Sequence, residues 1–239
     1  MARNVETGSA KEIPLAPRSK RRVLIETAVA YALILIVIWT PRPAQRWLWW
    51  VAAAAVIAFT CVFFDGAKAM GLRGANFLRS IWVVAAALLI AAIAVAIAAR
   101  LHTLLLQSGP IAFIKAYFAY AIWAFAQQFL LQSFFLLRCL RLFPSPRMAA
   151  IAAAAIFALA HLPNPILTPI TLVWGIAACF LFLRYRNLFP LAIAHAIFGI
   201  TIAITVPGYV DHNMRVGLSY LTYSRHAHRT PHAYRAPAR

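Results

Sequence analysis

Residues 111–137 read IAFIKAYFAYAIWAFAQQFLLQSFFLL. Lys115 is the single charge in this run, which is longer than the ~20 residues a helix needs to cross a bilayer. A water-facing helix of this length would alternate polar and apolar faces, and this one does not. Its polar residues, Gln127, Gln128, Gln132 and Ser133, instead gather deep in the run, where polar groups tend to face a bundle interior or a wet cavity. The stretch reads as a membrane helix that carries a polar site.

Further apolar runs occur at 23–39, 47–64, 81–99, 166–183 and 188–206, with a shorter one at 148–161. At ~1.5 Å rise per residue the short run covers roughly 21 Å of a ~30 Å hydrocarbon core. The composition agrees, since 64% of the residues are apolar and mean hydropathy is +0.78, whereas a soluble domain is nearer half apolar. The expected fold is all-α, a polytopic transmembrane helical bundle of about seven spans (six to eight). Residues 1–22 read as a disordered basic cytoplasmic lead, 23–208 as the membrane domain, and 209–239 as a basic tail rich in His, Arg and Pro.

The formal net charge is +18, with only five acidic residues. The basic residues lie in loops and ends between apolar runs, so the expected partner is anionic lipid headgroup and not nucleic acid. Arg18, Lys20, Arg21 and Arg22 precede the first run and predict an N-terminus on the cytoplasmic side. Seven crossings would then leave Arg215 and Arg225 outside, against the positive-inside rule. Either 209–223 folds back or one run is not a full crossing. Cys61, Cys139 and Cys179 lie in or beside different runs with no CxxC spacing, and Cys61 and Cys179 read as small buried apolar groups. A transpeptidase built on Cys139 is disfavoured, because Arg138 and Arg141 beside it look like an ordinary inside loop.

Three polar elements recur along the chain. Gln128 and Gln132 are four apart and share a helix face, with Gln127 about 100° round from Gln128. In 151–165, IAAAAIFALAHLPNP, Phe157 and His161 are one turn apart, so the ring can wall the imidazole before Pro163 and Pro165 stop the helix. In 190–205, PLAIAHAIFGITIAIT, His195 precedes Gly199 by one turn. Each alone also fits a structural role: amides joining helices, a histidine at a helix C-terminus, a histidine bonded to a carbonyl. Together, their order and spacing are more specific.

Over roughly 65–207 the chain resembles the CPBP family of intramembrane proteases, which includes the type II CAAX prenyl endopeptidases and the Abi proteins. That family carries EExxxR, FxxxH and HxxxN or HxxxD on successive membrane helices. Gln127-Gln128-x-x-x-Gln132 stands where EExxxR would be, Phe157-x-x-x-His161 matches FxxxH, and His195-x-x-x-Gly199 keeps only the histidine of the third motif. The segment from Met70 to Arg73 also looks like the family. The resemblance implies an endopeptidase acting on a lipidated or membrane-anchored peptide in a bacterial cytoplasmic membrane. His161, His195, Gln127 and Gln128 would then occupy catalytic positions, and Gln132, Phe157 and Gly199 would contact substrate.

The departures matter chemically. No Asp or Glu lies between Asp65 and Asp211. In the family the first glutamate of EExxxR activates water, and a neutral carboxamide at Gln127 cannot accept that proton. Loss of one general base typically forfeits ~10²–10⁴-fold in rate. Asp211, beside His212, is the carboxylate that a fold-back could bring to the site. No cofactor is expected: two histidines and some amides fall short of the three good ligands of a catalytic zinc. The alternative expectation is a non-catalytic relative that binds a hydrophobic or prenylated peptide in the same cavity.

Overall fold

The computed structural model describes residues 15, 17–62, 64–106 and 109–223. The expectations for most of the N-terminal lead and for the tail beyond 223 lie outside these. Helices are α1 (Lys20–Trp39), α2 (Arg42–Val62), α3 (Phe77–Ser80), α4 (Trp82–Arg100) and α5 (Pro110–Gln128). A π-helical segment, Phe129–Leu136, continues α5 into α6 (Leu137–Leu142). Then follow α7 (Pro146–Leu159), α8 (Leu167–Tyr185), α9 (Phe189–Thr205), α10 (Gly208–Asp211) and α11 (Gly217–Leu221).

Five helical runs are long and apolar enough to cross a membrane: Lys20–Trp39, Arg42–Val62, Phe77–Arg100, Pro110–Leu142 and Leu167–Tyr185. Two shorter apolar helices, α7 and α9, complete the bundle. The chain is an integral, polytopic helical membrane protein. The last run was expected to extend to 206 as a full-length span, but Val206 is extended and Pro207 follows, so α9 stops at 17 residues. Pro146, one residue past the Ser145 cap, and the turn from Ala160 likewise confine α7.

The π-segment is the axis of the bundle. Leu131, Gln132, Ser133, Phe134, Phe135 and Leu136 are all buried, so this stretch is enclosed on every side, as a central helix must be. It packs on α5, α6, α7 and α8. Ser133 donates to the carbonyl of Met70 at 2.7 Å, which ties the loop before α3 to the axis. Gly71 follows with φ +70, and a Cβ there would fall 2.4 Å from the Phe182 ring. Only glycine fits that backbone and that gap.

One end of the bundle is held by charge. Glu26 of α1 meets Arg138 of α6 at 3.2 Å, Arg22 at 3.2 Å and Arg18 at 3.6 Å. Asp65 takes Arg18 at 3.1 Å and also pairs with Arg141. The Arg138 guanidinium additionally lies 3.4 Å from the centroid of the Phe134 ring. Two carboxylates thus fasten α1, the α2–α3 connection and α6 together. Lys68 and Arg73 of the α2–α3 connection, Arg147 in the first turn of α7 and Arg184 in the last turn of α8 belong to the same end.

At the opposite end, 209–223 folds over the bundle against the last turn of α1, and Arg215 stays at that end. Gly217 N–H donates to the Leu162 carbonyl at 2.7 Å, and α11 packs on α1. Asn164, fully buried between Pro163 and Pro165, fills all its hydrogen-bonding capacity here. Its amide donates to the carbonyls of Asp211 (2.8 Å) and Arg215 (3.0 Å), while its oxygen accepts from Ile166 (3.0 Å) and Leu167 (2.9 Å) N–H. Cys61 departs from expectation: it is exposed, because α2 packs mainly on α1 and buries only Ala52.

Removing one member of a buried ion pair leaves an uncompensated charge, at a cost of roughly 3–5 kcal/mol. Glu26→Ala is therefore expected to lower the melting temperature of the detergent-purified protein far more than the paired change Glu26→Met/Arg138→Met. Equal losses would mean that this cluster does not hold the fold.

Candidate functional site

A cavity of about 840 Å³ lies between α1, α2, α5, α7, α8 and α9. Its walls are mostly apolar, with Trp49, Trp123, Phe125 and Phe198 among them. Trp49 of α2 and Trp123 of α5 meet edge-on, 4.4 Å between ring centroids. Asn213, Met214, Val216 and Ser219 of the folded-back segment line it too. The volume suits a drug-sized or peptide-sized apolar group.

Gln127, Phe157, His161, His195 and Gly199 all line this cavity. Gln128 and Gln132 stand behind the wall, fully buried. The three sequence elements, far apart in the chain, therefore meet at one place. The Phe157 ring lies between the imidazoles, with centroids 4.9 Å from His161 and 5.9 Å from His195.

Hydrogen bonding sets the two histidines in opposite states. The Phe157 carbonyl lies 2.8 Å from His161 Nδ1. A carbonyl can only accept, so Nδ1 carries the proton and Nε2 of His161 keeps its lone pair. At His195, Nδ1 receives the indole N–H of Trp174 at 3.0 Å. Indole nitrogen only donates, so Nδ1 must be the bare nitrogen, and the ring proton of His195 sits on Nε2. The Gln128 amide approaches the same Nδ1 at 2.8 Å, its own oxygen accepting from Gln132 at 3.2 Å. Gln132 donates to Gln128, and Gln128 and Trp174 both donate to His195, so one network links the π-segment and α5 to α9 and α8.

The chemical consequence follows from the same bonds. The basic nitrogen of His195 already holds two N–H donors, so it offers no lone pair for a proton from water. Its Nε2–H is a donor. His161 offers the reverse, an acceptor at Nε2. Gln127 contributes an amide. Among the described residues no Asp or Glu lines the cavity: Glu26 and Asp65 are engaged at the charged end, and Asp211 turns into its own loop. The Asp211 carboxylate accepts the Asn213 N–H at 2.9 Å, and burial pushes it up from the usual carboxylate range while those backbone bonds pull the other way. His212 beside it donates to the Tyr220 carbonyl and stacks on Tyr220 at 4.1 Å. The fold-back brings this segment to the cavity mouth without presenting its carboxylate. Among the described residues no three His, Cys, Asp or Glu side chains cluster to hold a metal ion. Cys139 is buried in the core and is not part of the cavity wall.

Sequence reasoning missed Trp174 and Tyr120. Trp174 lies in the middle of α8, although membrane tryptophans usually sit at the interface with their N–H in a polar layer. An indole N–H at that depth requires a buried acceptor, and that was a usable signal.

Residues 110–201 match the family model described as type II CAAX prenyl endopeptidase Rce1-like. That segment runs from the start of α5 into α9 and contains all three motif elements. The match supports membership of the CPBP/CAAX protease family. Comparisons with curated proteins and with solved structures give no match.

The bonding pattern predicts distinct tautomers. In ¹⁵N-histidine-labelled protein, assigned through single His→Gln variants, His161 is expected as the Nδ1–H form and His195 as the Nε2–H form. Trp174→Phe combined with Gln128→Leu, which removes both donors to Nδ1, should release His195 into a mixture. Both rings in one tautomer would contradict the bonding described here.

Proposed function

We propose that this protein is a non-hydrolytic relative of the CAAX-type intramembrane proteases that holds a hydrophobic or lipidated peptide segment in its membrane cavity. The observation that carries the reading is the cavity's set of polar groups: an amide, an imidazole acceptor and an imidazole donor, with no carboxylate among the described residues to activate water. Such a wall pairs the donors and acceptors of a peptide backbone while the aromatic surfaces take an apolar chain. Buried polar groups without partners are costly, so a ligand offering matching groups is favoured over a plain hydrocarbon. The basic end, with its loop lysines and arginines, faces the cytoplasmic leaflet of a bacterial membrane in this reading, where anionic headgroups attract it.

A second reading is favoured by one specific feature. His161 Nε2 has no protein partner among the described residues, and imidazole is chemically suited to accept a proton. A slow endopeptidase using His161 as base, with His195 donating to the carbonyl oxygen, is the active version of the same site.

The two separate in one experiment on purified protein in detergent, using prenylated and membrane-anchored peptides with binding and cleavage both followed. The expected result is that wild type binds without cleaving. Gln127→Glu/Gln132→Arg, which supplies a carboxylate with its charge balanced, is expected to gain cleavage by ~10²-fold or more over wild type. Wild-type cleavage that disappears in His161→Ala would overturn the binding reading in favour of the peptidase. A wild type that neither binds nor cleaves would overturn both.

A further inference from the structure

Gly199 leaves a notch in α9 one turn beyond His195, and the notch is filled. A Cβ built on Gly199 would fall 1.6 Å from the Tyr120 hydroxyl oxygen, 2.3 Å from Cζ and 2.6 Å from Cε1. The phenol of α5 is thus seated against the α9 backbone in space that any side chain at this position would take. Tyr120, Gly199, His195 and Gln127 all border the same cavity. Among the described residues the Tyr120 hydroxyl makes no hydrogen bond to protein, and its oxygen is not sealed away from the cavity.

A phenol held this way is a rigid O–H donor with two rotatable bonds fixed by packing. Buried hydroxyls are ordinarily hydrogen-bonded, and one left open on the wall of a cavity that both imidazoles also line is a group waiting for an acceptor. The neighbouring groups narrow what that acceptor is. His195 Nε2–H is a donor on the same helix face, one turn away. Two donors converging on one region suit an oxygen with two lone pairs, and the peptide carbonyl is the oxygen that a membrane-embedded peptide carries in every residue.

We infer that Tyr120 is a ligand-contacting residue whose hydroxyl, seated in the Gly199 notch beside His195, donates to a backbone carbonyl of the peptide held in the cavity. Gly199 is the residue that makes room for it. The two positions are therefore coupled: α9 gives up a side chain, and α5 supplies the polar group from across the gap. This role rests on the peptide-binding reading above.

The test measures binding of a fluorescent S-farnesyl-cysteine tetrapeptide to detergent-purified protein, alongside an analogue in which the amide following the modified cysteine is replaced by a trans-alkene. Tyr120→Phe keeps the ring in the notch and removes only the hydroxyl. It is expected to weaken the amide peptide by about 3- to 10-fold, the range of one hydrogen bond, and to bind the alkene analogue as wild type does. Gly199→Ala, which pushes the ring out, should lose the same preference for the amide. Tyr120→Ala/Gly199→Asn, which returns a donor from the α9 side, should recover it. Equal binding of the amide peptide by wild type and Tyr120→Phe overturns the role of Tyr120 and leaves the cavity reading standing. Equal weakening of both probes makes Tyr120 a packing residue and also overturns it. Failure of wild type to bind either probe overturns the cavity reading and this role together.

Discussion

The Gln128 amide joins three parts of the bundle through one set of hydrogen bonds. It takes a hydrogen bond from Gln132 in the π-segment and gives one to His195 of α9, whose ring also receives Trp174 of α8. In hydrocarbon an unpaired amide costs several kcal/mol, so these side chains have few alternatives to one another. The arrangement fixes the rotation of α9, and with it the face on which Gly199 lies. It also fixes the tautomer of His195. The shape of the cavity and the polarity of its wall both follow from the hydrogen bonds that converge on His195.

The distribution of charge supports the same view of the site. At one end of the molecule, carboxylates and guanidiniums are kept, in pairs, where they tie α1 to α6. At and behind the cavity wall the three positions that EExxxR would make charged, Gln127, Gln128 and Gln132, are all amides. A buried ion pair replaced whole by neutral groups of similar size is often tolerated, whereas loss of one partner is not. Gln127, Gln128 and Gln132 are consistent with whole replacement. A carboxamide is close to a carboxylate in shape but cannot accept a proton near neutral pH, the one property it cannot imitate.

Much of this was legible in the chain. Apolar runs separated by basic loops marked the helices, because bilayer thickness imposes a length that sequence shows directly. The order of Gln127, His161 and His195 marked the site, because polar residues at membrane depth must converge. Other features depend on contacts that no local pattern encodes. The π-segment looks like ordinary helix in sequence; its extra residue per turn arises where the axis is enclosed on all sides. The opposite states of His161 and His195 are set by a carbonyl and an indole, neither visible as a motif. The fold of 209–223 over the bundle is held by Asn164, whose neighbouring prolines read simply as a helix stop. Gly199 is the clearest case. In sequence it is a missing side chain, whereas in three dimensions it is the seat of another residue's hydroxyl.

That last point bears on how an altered site is judged. Counting motif positions makes His195-x-x-x-Gly199 a loss, because a glycine donates nothing from a side chain. Geometry makes it an exchange, since Tyr120 reaches the same space from α5 with a donor of its own. The exchange is not symmetric with the change at Gln127. A phenol can stand in for an amide as a hydrogen-bond donor, so the capacity to hold a carbonyl survives. Among the described residues no carboxylate of the cavity wall stands in for a base beside Gln127. Among the described residues the only lone pair that the two imidazoles leave toward the cavity is at His161 Nε2, and its partner His195 is committed to donating. On the proposed binding reading, a wall with these donors and no carboxylate among the described residues suits holding a peptide carbonyl better than breaking the bond beside it.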